Sequence, residues 1–297
     1  MADGFEMRIP AGLELVKSAE PARWAIQRMD SATDPPQWKL STFMPSGFEA
    51  YVRILHPLAD RGGDGPSWPW SRFARPEALP IAPDAQLRDV VGPEAVDQGW
   101  LDEYAPLEGS MSETTCAKLT SILRRFTATP GLCWMAVWDG WGSWWPQVSL
   151  ELPWDATPIE RAAARSEGFR RAWDQHLKIE AATADIEFVQ RPWGRRYFLF
   201  RAKIDQASSF DGRTPQLWWP DDNAWFVSTE IDGYSSYVGS SRDCADALIR
   251  AGEFLDRLVL CLAAPFETRP VRGDGNPPLA PRWFFDEHAK LRRHGSS

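Results

Sequence analysis

The stretch LWWPDDNAWFVSTEID, residues 217–232, carries three of the chain's 17 tryptophans and four carboxylates around a single turn signal. LWW and AWFVSTEI are rich in aromatic and β-branched residues, and PDDN between them is a turn of proline and short polar side chains. The run therefore predicts a β-hairpin over 217–231. Strand alternation divides its second arm. Trp225, Val227, Thr229 and Ile231 share one face, with Trp225 directed to the core. Phe226, Ser228, Glu230 and Asp232 share the other.

Outward from the hairpin, SSYVGSS (235–241) predicts a third strand, and Ser240 with Asp243 caps a helix carrying Cys244, Ala247, Leu248 and Ala251. Upstream, RRYFLFRAKI (195–204) reads as a strand. TPIERAAARSEGFRRAWDQHLKIEAATA (157–184) reads as a long helix, with Ile159, Ala162, Ala163, Phe169, Trp173 and Leu177 as its buried stripe. LCWMAVW (132–138) is apolar on both faces, as expected of a central strand, and Trp134 and Trp138 count as core. DGWG (139–142) is a turn, QVSLEL (147–152) a further strand, and 111–127 a helix with Ser110 and Glu113 as its capping box. PSGFEAYVRILHP (45–57) carries Phe48, Val52 and Leu55 at helical spacing between a Ser46/Glu49 capping box and Pro57, and predicts a short helix. Residues 57–83 hold six prolines and three glycines and read as a long loop folded back on the body, with SWPW (67–70) docked on a core. Helices mixed with an antiparallel hairpin imply an α+β fold with a mixed or largely antiparallel sheet. The basic tail HAKLRRHGSS is expected to be loosely ordered from about residue 286.

Composition narrows the function classes. The chain has 297 residues, 33 basic against 41 acidic, with net charge −8. This balance opposes a general nucleic-acid binder and leaves no polybasic membrane footprint. No run of about 18 apolar residues predicts a membrane span. MADGFEMRIPAG lacks the basic and apolar regions of a secretory leader, so a cytoplasmic protein is expected. The four cysteines form no CxxC pair and read as buried hydrophobes. The chain has no GxSxG elbow, P-loop or GxGxxG fingerprint. None of His56, His176, His288 and His294 stands at metal-ligand spacing, and neither metal nor cofactor is expected.

Two site readings remain open. An aromatic and acidic surface of Trp218, Trp219, Asp221, Asp222 and Trp225, with Trp141 and Trp144 of the Gly-rich turn, would suit a small ligand or a basic partner. Strand alternation lets at most one of Trp218 and Trp219 reach a cleft, and the turn carboxylates have a sufficient local explanation in the turn itself. Alternatively, Glu230 and Asp232, with His56 as a base, would perform carboxylate acid/base chemistry on a small molecule. Each reading competes with a structural one: tryptophans in the core, Glu230 and Asp232 on a solvated strand face, and His56 at a helix end. A subunit of a larger complex is the third class. Oligomeric state is left open.

Three blocks, PSGFEAYVRILHP, CWMAVWDGWG (133–142) and LWWPDDNAWFVSTEIDGYSSYVGSS (217–241), resemble in content and order a family of actinobacterial proteins with no assigned activity. The resemblance implies one integrated domain and a cytoplasmic bacterial setting, and carries no catalytic residues over. The Pro-led amphipathic helix read at 45–57 is also similar to the start of the SMI1/KNR4-like immunity fold, which would imply toxin binding.

Overall fold

The computed structural model describes residues 7–30, 40–60, 67–79, 81, 85–94, 104–141, 157–192, 194–210, 212–252 and 259–262. The strand read at 147–152, Trp144 and the C-terminal tail lie outside these residues. The fold is α+β. A nine-stranded antiparallel sheet comprises β1 (Glu14–Val16), β2 (Ala50–Leu55), β6 (Cys133–Trp138), β7 (Val189–Gln190), β8 (Arg196–Ala202), β9 (Leu217–Pro220), β10 (Phe226–Thr229), β11 (Ser235–Ser240) and β12 (Val259–Leu262). Its order is β1-β8-β6-β9-β10-β11-β2-β12, with β7 also paired to β8. A second sheet orders β4 (Ser67–Trp68), β3 (Leu58–Asp60) and β5 (Tyr104–Pro106).

Both faces of the large sheet are covered, and the alternation within 217–232 assigns side chains to them. Trp218, Trp225 and Val227 enter a core built with Val52, Ile54, Met135 and Phe200. The helices α4 (Glu113–Leu123) and α6 (Arg242–Gly252) supply Cys116, Leu119, Leu123, Cys244 and Leu248 to that core. Trp219, Phe226, Leu217 and Tyr197 enter the opposite core. That core is closed by the short helices α1 (Arg23–Ile26) and α2 (Leu40–Phe43) through Ala25 and Phe43. The hairpin register is set by Val227 opposite Trp218, and Asn223 turns the chain at φ 56°.

The segment 45–57 is not a helix but contains β2, every residue of which is buried. Ala50, Val52 and Ile54 face one core, while Tyr51 faces the other and Leu55 a third. A strand covered on both faces shows no polar alternation, so Phe48, Val52 and Leu55 matched a helical period by coincidence. Glu49 caps α6 instead of its own segment, accepting Arg242 N–H at 2.9 Å. The local feature behind the likeness to the SMI1/KNR4-like fold is therefore a strand.

The proline-rich stretch carries β3, β4 and two helical turns. Trp70 is buried with Leu58, Leu87 and Val90 in a third core, alongside α3 (Leu87–Val91). Its indole N–H donates to the His56 carbonyl at 2.7 Å, which is how SWPW docks.

The helix read at 111–127 is capped by Ser112, not Ser110. Ser110 is instead occupied with Thr214, whose N–H it accepts at 2.9 Å.

The long helix α5 (Pro158–Ala182) forms, but Ile159, Trp173 and Leu177 of its expected buried stripe are 81%, 37% and 48% exposed. Near the C-terminal end Ile179 packs on the core, and Thr183 closes the helix by donating to the Ile179 carbonyl at 2.8 Å. The helix stands on Glu167–Arg170, Glu167–Arg171 and Arg170–Asp174 pairs, which sustain helices without tertiary burial.

Candidate functional site

The structure disperses the residues expected to form an aromatic and acidic surface. Trp218, Trp219 and Trp225 are fully buried. Trp218 meets Trp225 edge-on at 5.2 Å and Trp219 stacks on Phe226 at 5.4 Å, on opposite sides of the sheet. Trp225 Nε1 donates to the Leu123 carbonyl at 3.1 Å, locking α4 to the hairpin. The two turn carboxylates are structural acceptors. Asp221 takes the Trp134 indole N–H at 2.9 Å. Asp222 takes the Thr127 hydroxyl at 2.9 Å and the Ala128 and Ala224 amides at 2.6 and 3.1 Å. Trp141 donates to Gln216 Oε1 at 3.2 Å and lies under the Arg213 guanidinium, 3.6 Å away.

The acid/base candidates are equally committed. Glu230 is not on a solvated face: it is buried between Arg191 and Arg195, each 2.8 Å from one of its oxygens. Arg191 also donates to Ser228 Oγ at 2.8 Å. Burial pushes the Glu230 carboxyl up, against the pull of the two guanidiniums. Asp232, half-exposed, pairs with Arg195 at 2.5 Å. The carboxylates thus serve as counter-ions to buried arginines, a cost that strand alternation alone does not reveal.

His56 is buried at the end of β2, not at a helix terminus. Its Nδ1 lies 2.6 Å from the Leu107 carbonyl, which can only accept. The neutral ring therefore carries its proton there, and Nε2 accepts from Ser236 Oγ at 2.9 Å. This is the order of a serine–histidine pair with an orienting acceptor. Ser236 is wholly buried, however, and its Oγ also bonds Thr229 Oγ1 at 2.7 Å. The pair ties the ends of β2, β10 and β11 to the loop after β5.

The site the structure does build lies at the other end of the hairpin. A cleft of about 390 Å³ opens there between four segments. The α1 segment gives Trp24 and Arg28, and the run before β2 gives Gly47, Phe48 and Glu49. The β9–β10 turn gives Asn223 and Ala224, and the β11–α6 junction gives Ser240 and Ser241. Trp24 meets Phe48 edge-on at 6.4 Å and Phe226 at 5.9 Å, so the aromatic floor is anchored in the core. Phe48 is seated against Gly239, where an added Cβ would fall 2.5 Å from its ring. The Tyr51 hydroxyl holds the preceding loop by donating to the Pro45 carbonyl at 3.0 Å and accepting Phe48 N–H at 3.2 Å. The Arg28 guanidinium sits over the Trp24 ring at 5.6 Å and forms no ion pair with a described residue.

Of the hairpin run, only Asn223 and Ala224 reach this cleft. Trp24, Arg28, Ser240 and Ser241 were not singled out as site residues from sequence, and Phe48 and Glu49 were read as parts of a helix. They are separated by up to 217 positions (24 to 241) and share no motif. The only local sign was the serine pair at the start of α6.

Among the described residues no group of three or more His, Cys, Asp or Glu is placed to hold a metal ion, and no helix is long and apolar enough to cross a membrane. No family model matches the chain, and no curated protein or solved structure matches it at a significant level.

Proposed function

We propose that this protein is a non-catalytic binding protein that holds a small organic ligand in the cleft at the β9–β10 turn. The observation that carries the reading is an aromatic-floored cavity of about 390 Å³ lined by Arg28, which has no carboxylate partner among the described residues. The volume falls in the range of small-molecule sites, roughly 300–1,000 Å³, which combine apolar walls with a few convergent polar groups. The residues first suspected of chemistry support a scaffold instead. Glu230 and Asp232 neutralise arginines, and His56 with Ser236 closes the ends of three strands.

Ligand-observed and amide NMR with a set of aromatic fragments tests the reading. On binding, the Trp24 indole signal and the amides of Gly47, Phe48 and Ala224 are expected to shift, while the indole signals of Trp218, Trp219 and Trp225 stay in place. Shifts confined to another surface, or no fragment binding at millimolar concentration, would overturn it.

A further inference from the structure

We infer that the cleft takes a zwitterionic aromatic compound of the amino-acid class; this rests on the binding reading above. Of the residues lining the cleft, Arg28 and Glu49 are the charged ones, and they form no ion pair with each other. Each is held by a different neighbour. Glu49 Oε2 accepts the Arg242 N–H at 2.9 Å, at the N-terminus of α6, where a negative charge is favoured. That bond leaves Oε1 open to a ligand. The Arg28 guanidinium lies over the Trp24 ring at 5.6 Å, and its Nη1 is 3.5 Å from the place an added Gly47 Cβ would take. Its head group therefore stands beside two lining elements, the indole and the Gly47 backbone. The cleft thus holds one cation and one anion whose charges are not spent on each other.

The other polar lining groups do not choose a sign. Asn223 carries an amide with both donors and an acceptor. The Ser240 hydroxyl donates to the Ser241 carbonyl at 3.1 Å and keeps its lone pairs, while the Ser241 oxygen accepts Cys244 N–H at 3.3 Å and keeps its proton. These neutral groups suit either end of a ligand, so its charge is set by Arg28 and Glu49. A lone anion would meet Arg28 but also Glu49, in a chain of net charge −8. A lone cation would meet Glu49 but also Arg28. A molecule with an ammonium and a carboxylate offers each fixed charge its opposite and adds no net charge. Its ring belongs on the Trp24–Phe48 floor, which is half-buried and packed on the second core.

Isothermal titration of the full chain with L-tryptophan, tryptamine, indole-3-propionate and L-alanine tests this, because the two indole analogues each lack one charge of the amino acid. Arg28 and Glu49 are exposed, so each charge should be worth about three- to tenfold in affinity. Tryptophan is expected to bind most tightly, the two analogues about three- to tenfold more weakly, and alanine not at millimolar concentration. Arg28→Gln should weaken tryptophan and indole-3-propionate by that factor and leave tryptamine no weaker. Glu49→Gln keeps an oxygen for the Arg242 N–H, and should weaken tryptophan and tryptamine while leaving indole-3-propionate no weaker. Either analogue binding as tightly as tryptophan would overturn the zwitterion and leave the binding reading standing. Alanine binding as tightly as tryptophan would overturn the aromatic selection. None of the four binding, while neutral aromatic fragments still shift the Trp24 indole signal, would overturn this inference alone. No shift with any fragment or probe would overturn the binding reading with it.

Discussion

Arg191 and Glu230 form an ion pair at 2.8 Å with side chains only 0% and 6% exposed, inside the sheet face that the hairpin carries. Removing one partner strands the other charge in the core. Glu230→Ala is expected to cost about 3–5 kcal/mol in urea denaturation. Glu230→Leu combined with Arg191→Met should recover part of that loss, because the apolar pair needs no desolvated charge while Arg195 loses Glu230 but keeps Asp232 as a partner. A single variant as stable as wild type would show that water reaches the pair.

Trp219→Ala and Trp225→Ala are each expected to lower stability by about 3–5 kcal/mol, the usual cost of emptying a large buried aromatic site. Retention of the wild-type denaturation midpoint would return these residues to the list of ligand contacts.

Hydrogen bonds from Arg170 and Arg171 hold the exposed Glu167 carboxyl down at about 2, against an ordinary value of 4.5. Because the folded value is depressed, its contribution to α5 is complete above 4.5 and is lost as pH falls towards about 2. Carboxyl-detected NMR should find that low midpoint, and Arg170→Ala with Arg171→Ala should bring it back towards the ordinary value. Raised salt should do so partially, since the pair is open to solvent.

Burial pushes the thiols of Cys116 and Cys133 up to about 12 and that of Cys244 to about 11. The thiolate is the reactive species. Peptide mapping after treatment with a thiol reagent at pH 8 should find all three unmodified in the native protein and labelled in denaturant. Fast native labelling of any of them would place it at an open surface.

Gly109 adopts φ +68°, and an added Cβ would fall 2.3 Å from the Ile231 carbonyl oxygen. Gly109→Ala should destabilise the chain by more than the roughly 1–2 kcal/mol of a left-handed backbone alone, measured by thermal unfolding. It should also disturb His56, which is held by the neighbouring Leu107 carbonyl. A neutral substitution would mean that this loop shifts without cost.

Much of the secondary structure was legible in the chain, for local reasons. Turn chemistry at PDDN, alternation along AWFVSTEI and the two-sided apolar run CWMAVW each name their element within a few residues, and β9, β10 and β6 lie there. Alternation also assigned Trp225 and Val227 to one core and Phe226 to the opposite face. It failed at β2, because a strand covered on both faces loses the polar half of its pattern and mimics a helix. It failed again at α5, where periodicity shows that a stripe exists but not whether anything packs on it.

The sequence by itself determined the class of fold, the hairpin and which of its residues share a face, since these depend on neighbours within a strand. Only the tertiary structure decided what those faces meet. Glu230 looked like a solvated acid until Arg191 and Arg195, 39 and 35 positions earlier, were found against it. The candidate cleft is more extreme, drawing Trp24, Phe48, Asn223 and Ser241 together from four segments. Each of those residues is ordinary where it stands in the chain, and only the packing of four segments around one end of the sheet makes them a site.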